Sequence, residues 1–224
     1  MHLKERVIRM ATLAEAMIEH SVRGLKERQT DILRQVIDVE EPQLNALEME
    51  VEELCTRIIA LYEPKARDLR QILAAVRMSI DLERIGDHAV NIAQSSLFLV
   101  ERPEVKPLED TPRMADLSIA MMRDSVDAFI RGDAELARDV LGRDDAVDAL
   151  CAKIVRDLLP LMATDAAVIE RAMKLVRVVQ NLERIADLST NICEQVIYLE
   201  EGHNVKHHHV DDGPATEGPG GRVS

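Results

Sequence analysis

Two short rows of oxygen-bearing side chains are the residues of this chain best suited to chemistry. Glu83, Asp87 and Asn91 follow one another at intervals of one helical turn, and Glu183, Asp187 and Asn191 repeat the row a hundred positions later. Two carboxylates four residues apart on a helix are like charges about 6 Å from each other, which mildly destabilises the helix alone. A bound cation would reverse that. Carboxylate and amide oxygens without His or Cys favour Mg²⁺, Mn²⁺, Ca²⁺ or iron over a structural zinc site, while zinc remains compatible with carboxylates alone. Two further rows are candidates to face these: Glu41, Asn45, Glu48 and Glu52 in the first half, and Asp144 and Asp148, with Asp145 beside them, in the second. The competing reading is a solvated acidic surface. With 41 acidic residues, acids fall four apart by chance, and Arg84 or Arg184 offers them a partner. Recurrence of the same Glu, Asp and Asn at matched positions favours cation sites.

Other reaction chemistry is thin. Local spacing suggests no Ser/His/Asp or Cys/His set, and the glycines before the last stretch are isolated, so there is no phosphate-cradling loop. The Glu-x-x-His pattern of di-iron bundles is absent. His2, His20 and His88 read as surface or capping residues rather than bases. Catalysis is not indicated.

The rows must be held by long helices, and the chain supplies them in duplicate. Val76 to Leu99, VRMSIDLERIGDHAVNIAQSSLFL, returns as Val176 to Leu199, VRVVQNLERIADLSTNICEQVIYL. At about 100° per residue, Leu82, Ile85, Ala89, Ile92, Ser96 and Leu99 form one apolar stripe, as do Leu182, Ile185, Ser189, Ile192, Val196 and Leu199. The acid rows fall roughly opposite. Before each repeat the pattern predicts two helices: about Leu3 to Leu25 and Thr30 or Asp31 to Tyr62, then about Met114 to Arg131 and Ala134 to Met162. Pro42 predicts a kink or brief break at Val39 to Pro42. The third helix of each half runs from about Lys65 to Val100, and from Thr164 or Asp165 to Glu200 with Gly202 as its stop. Asp133 is a candidate N-cap. The expected fold is all-α: two tandem antiparallel three-helix bundles related by internal duplication, residues 1–100 and 114–201, joined by a proline-rich linker 101–113 short enough to set them side by side. Residues 202–224 read as a disordered tail in which His207, His208 and His209 are incidental.

Composition agrees with long helices. Hydrophobic residues make up 46% and charged residues 31%, with only 2% aromatic and no Trp. The net charge of −13 argues against nucleic acid and against an anionic membrane surface as partners. No apolar run approaches the ~20 residues of a spanning helix, and the first residues carry charges where a signal peptide would be apolar. Cys55, Cys151 and Cys193 have no regular spacing and read as buried thiols of a cytoplasmic protein.

The ordered set LERIGDHAVNIA, LERIADLSTNICEQVIYL, CTRIIALYEPKARDLRQI before the first and EGHNVKH after the second resembles the PhoU family, the phosphate-specific transport system accessory proteins. The similarity covers about Leu3 to His207. It implies a cytoplasmic homodimer of paired three-helix bundles with multinuclear iron or zinc clusters on their surfaces. It also implies a negative regulator that binds the ATPase subunit of the phosphate ABC transporter and its sensor histidine kinase. By position, Glu83 and Asp87 with Glu41, Asn45, Glu48 and Glu52 would form the first cluster site. Glu183 and Asp187 with Asp144 and Asp148 would form the second, a smaller one, since Cys151 and Val155 stand where the first half has Glu48 and Glu52. The alternative is a metal-storing or metal-dependent hydrolytic bundle.

Overall fold

The computed structural model describes residues 2–202, and these are helical with no strand among them. The tail beyond Gly202, with His207 to His209, lies outside the described residues. In the first half α1 (His2–Glu27) is followed by α2 (Thr30–Gln35), a π-helical turn (Val36–Glu40), α3 (Glu41–Tyr62) and α4 (Arg67–Val100). The second half repeats this as α5 (Asp110–Arg131), α6 (Ala134–Leu141), α7 (Asp144–Thr164), a 3₁₀ turn (Ala166–Val168) and α8 (Ile169–Glu201).

Each half is a three-helix bundle whose middle helix is interrupted, and both interruptions fall just before the acid rows. In the first half the backbone stays right-handed helical through Pro42. Lacking an N–H, Pro42 cannot continue the ladder, and the helix absorbs this with a wider turn in which the Glu41 N–H donates to the Val36 carbonyl. The expected break at Val39 to Pro42 is therefore a π turn beginning three residues earlier. In the second half the expected continuous helix from Ala134 to Met162 is divided at Gly142 and Arg143, where Arg143 ties Asp124 of α5 at 2.6 Å and also pairs with Asp139. Asp144 and Asp145 then open α7, where acids complement the helix dipole.

Other boundaries move for local reasons. The linker shortens to Glu101–Glu109, because Pro112 sits in the first turn of α5, where no N–H is required. Gln29, not Thr30 or Asp31, occupies the N-cap position of α2, with no side-chain cap. Asp133 and Asp165 do cap, accepting from Leu136 N at 3.0 Å and Ala167 N at 2.9 Å. Gly202 ends α8 at φ +76°.

The helices lie in two layers that share one core. α4 packs on α8, α3 flanks α4 and α7 flanks α8, while α1 and α5 lie together beneath. Leu82, Ile85, Ala89 and Ile92 and their counterparts Leu182, Ile185, Ser189 and Ile192 are buried at this centre, each large side chain worth roughly 2 kcal/mol of burial. Polar bonds join the halves along the seam: His88 Nδ1 to Asn181 Oδ1 at 2.8 Å, and Gln195 Nε2 to Asp81 Oδ2 at 3.2 Å. These pairings run α4 and α8 antiparallel. His88 is thus a half-buried seam residue, and His20 is half-buried against the Glu40 carboxylate at 2.7 Å, so neither is the surface or capping residue expected of it. All three cysteines are buried and free. No helix of the described residues is long and apolar enough to cross a membrane.

Candidate functional site

The antiparallel α4/α8 pair carries the two acid rows at mid-length, on opposite flanks of the outer layer. In the first half Glu83 is half-buried and Asp87 exposed, both outside the core, with Asn91 half-buried one turn on. Within the neighbouring α3, Glu41 accepts a hydrogen bond from Asn45 Nδ2 at 2.9 Å. Burial raises the Glu83 carboxyl above its ordinary range, and the negative charges of Asp87, Glu48 and Glu41 raise it further against a smaller opposing effect of Arg84. Glu41, Glu48, Glu83 and Asp87 are therefore one electrostatic group. Glu52 is exposed and lines an open groove with Met49, Glu53 and Thr56. Arg84 reaches Asp81 at 3.9 Å rather than the row.

The second half brings Asp144, Asp148, Glu183 and Asp187 together in the same way. Asp144, at the start of α7, is pushed up to about 6 by burial and then by Asp148, Asp187, Asp145 and Glu183. Asp148 and Glu183 are raised as well, by burial first and by neighbouring carboxylates second. One oxygen of Asp144, Oδ1, is buried without a hydrogen-bond partner. The only cation pairing with this group among the described residues is Arg184, whose Nη1 lies 3.0 Å from Asp187. Asp145 belongs to the group electrostatically and was legible only as a neighbour. Cys151 is a member by contact: its Sγ donates to Glu183 Oε2 at 3.6 Å, and burial with the Glu183 charge pushes the thiol up to about 12. Asn191 is half-buried one turn beyond Asp187.

As placed, no group of three or more His, Cys, Asp or Glu side chains among the described residues is gathered closely enough to hold a metal. The donor chemistry nevertheless fits a hard cation. Asp144, Asp148 and Glu183 all hold a proton more tightly than an ordinary carboxyl, one buried Asp144 oxygen has no partner, and a single arginine leaves negative charge uncompensated. A cation would have to draw the carboxylates inward by rotamer changes.

The Asp144 carboxyl has a stability consequence in metal-free protein. Its folded value lies above the unfolded one, so the folded state binds more protons between about pH 4 and 6, and stability falls as pH rises through that window. Asp144→Asn removes the penalty. Discounted for solvent screening, the variant is expected to be about 1 kcal/mol more stable than the parent at pH 7 and no different below pH 4. Chelator-treated protein unfolded in urea at both pH values checks this; an equal difference at the two would overturn it.

A separate cavity of about 280 Å³ lies between the start of α1 and the ends of α5 and α8, lined by Val7, Ile72, Phe129 and Leu199 among others. None of the acids of the two rows reaches it.

The family model described as PhoU domain matches residues 7–96 and again 111–196, one match per half. A phosphate-specific transport system accessory protein PhoU homolog of Aquifex aeolicus is 39% identical over 93% of this chain and 94% of its own length. A homolog of the same name in Pseudomonas putida is 36% identical over 92% of the chain and 80% of its own. The crystal structure of PhoU from Pseudomonas aeruginosa superposes with a TM-score of 0.85 at 32% identity, covering 90% of this chain and 97% of that one. That of the phosphate transport system regulatory protein PhoU from Streptococcus pneumoniae gives 0.83 at 26% identity over 92% and 97%.

Proposed function

The chain belongs to the PhoU family, and from that premise we propose that it restrains phosphate uptake and phosphate-starvation signalling by docking on the transporter's ATPase subunit and on a sensor histidine kinase. It is an accessory protein of phosphate transport rather than an enzyme. The observation that carries this reading is the match of both halves to the same domain over nearly the whole length of the relatives. A hydrolytic bundle has no support in that comparison.

In this proposal the protein acts in the cytoplasm as a homodimer, and its acid groups hold divalent or trivalent cations: iron or zinc by family resemblance, Mg²⁺ or Mn²⁺ by donor type. Glu41, Glu48, Glu83 and Asp87 would hold one, with Asn45 orienting Glu41. Asp144, Asp148, Glu183 and Asp187 would hold the other. Bound there, a cation supplies positive charge that an acidic chain otherwise lacks at this face and a Lewis-acidic point for anionic oxygens. The residues' own part is to keep that face rigid on long, mutually packed helices.

Removing the protein from its host is expected to switch on a phosphate-starvation reporter in phosphate-rich medium, and the purified chain is expected to capture the ATPase subunit. A silent reporter together with failed capture would overturn the proposal.

A further inference from the structure

The interruptions that precede the two acid rows are tied down by side chains of opposite charge at matched positions. The duplication extends upstream of the rows: Met10 and Ala11 return as Met114 and Ala115, and Ser21 and Val22 as Ser125 and Val126. The backbone repeats with it, Arg28 and Gly132 being left-handed at φ +55° and +67° and Gln29 and Asp133 standing at the N-caps that follow. His20, Gln35 and Glu40 then correspond to Asp124, Asp139 and Arg143. In the first half Glu40 Oε1 lies 2.7 Å from His20 Nδ1 and accepts from Gln35 Nε2 at 2.7 Å. In the second half Arg143 donates to Asp124 at 2.6 Å and also to Asp139. The central side chain exchanges acceptor for donor, its two partners change with it, and the tie survives. Two unrelated sets of residue types that make one tie point to the tie itself as what the position requires.

What the tie secures is the register of the helix that follows. Val36 matches Val140 and Glu41 matches Asp144, so the first half carries one residue more between them, and the π turn takes it up. Each residue of a helix advances about 100°, so an insertion absorbed elsewhere would turn Glu41, Asn45 and Glu48 off the side that faces α4. Glu40 is 5% exposed, and its Oε2 is buried without a hydrogen-bond partner. A buried carboxylate satisfied at only one oxygen is costly, so packing does not account for it, whereas fixing a register does. The residue after each tie is the first carboxylate of a cation group: Glu41 acts on Glu83 of α4, and Glu183 and Asp187 of α8 act on Asp144. We infer that His20, Gln35 and Glu40 in the first half, and Asp124, Asp139 and Arg143 in the second, are positioning residues that set the register of α3 and α7 and so hold Glu41 and Asp144 in their cation groups. The inference rests on the cation reading proposed above and deepens it.

The test titrates Mn²⁺ into the full chain and follows its electron paramagnetic resonance signal, one group at a time. Glu183→Ala with Asp187→Ala silences the second group while the first is read, and Glu83→Ala with Asp87→Ala does the converse. Arg143→Met is expected to weaken Mn²⁺ binding at the second group by at least about tenfold, and Arg143→Lys to keep most of it. The sign discriminates, because loss of a positive charge one residue from Asp144 would by charge alone tighten binding. Glu40→Leu is expected to weaken the first group by at least about tenfold. Its thermal midpoint should stay at or above the parent's, since leucine leaves no orphaned oxygen and both His20 and Gln35 reach solvent. A purely structural role would lower affinity and midpoint together. Amide hydrogen exchange is expected to quicken over residues 36–45 in Glu40→Leu and over 142–148 in Arg143→Met, each in its own half only. The inference is overturned if Arg143→Met binds Mn²⁺ as tightly as the parent or more so, if Glu40→Leu keeps its affinity, or if exchange at the two turns is unchanged or quickens equally in both halves. A parent that takes up none of Mn²⁺, Fe²⁺ and Zn²⁺ would sink the cation reading, and exchange alone would then decide the tie.

Discussion

Gly86→Val is expected to lower the thermal midpoint by roughly 10 °C, about 3 kcal/mol of lost stability in a chain of this size. Gly86 is buried in the middle of α4, and a Cβ placed there falls 2.1 Å from Leu44 Cδ2 and 3.4 Å from Met17 Cε. Leu44 is itself 1% exposed, so its side chain has nowhere to retreat without displacing other core residues. A glycine in a helix interior normally costs up to about 1 kcal/mol relative to alanine, so its presence here marks a close approach of α3 to α4. The second half solves the same contact with the volumes exchanged: Ala186 stands at the repeat position of Gly86, and Val147 at that of Leu44, both fully buried. Gly86→Ala alone is therefore expected to destabilise, and Gly86→Ala with Leu44→Val to recover most of the loss. A thermodynamic cycle measures this coupling. Additive single effects would show that the two side chains do not share the space.

Paired removal of the acid rows is the other large expected effect. Glu83→Ala with Asp87→Ala should reduce cation affinity of the first group by at least about a hundredfold, and Glu183→Ala with Asp187→Ala should do the same for the second. The effects should be separable, because each row draws its partners from its own half: Glu41 and Glu48 act on Glu83, whereas Asp144 and Asp148 act within the second group. Elemental analysis after loading with Fe²⁺, Zn²⁺ or Mn²⁺ gives the readout, with each pair variant losing one share of metal and the fourfold variant losing all. The metal-free variants should fold at least as well as the parent, since like charges are being removed. Metal content unaltered in the fourfold variant would leave the rows as solvated surface.

Recognition of the rows needed only local periodicity. Glu83 and Asp87 are on one helix, so their shared face follows from 3.6 residues per turn, and the same period sends Leu82, Ile85 and Ile92 to the opposite side, where they are buried. The pairing of α3 with α4 and α7 with α8 followed from short connections within each half. What the period does not encode is depth and tilt. Glu52 shares a helical face with Glu48, yet it is exposed where Glu48 is half-buried, because contact between two helices is limited to a few turns around their closest approach.

By itself, then, the chain's linear order determined the duplication, the all-α class, the apolar stripes and the two acid rows, because each depends on spacing along one helix or on similarity between two segments. Tertiary structure alone decided the rest. The π turn before α3 and the break before α7 arise where a helix must accommodate Pro42 or dock Arg143 on α5. Cys151 joins Glu183, and His88 meets Asn181, across helices far apart in the chain. These are distances between elements, and they are fixed by how whole side-chain surfaces fit together rather than by any residue's own preference.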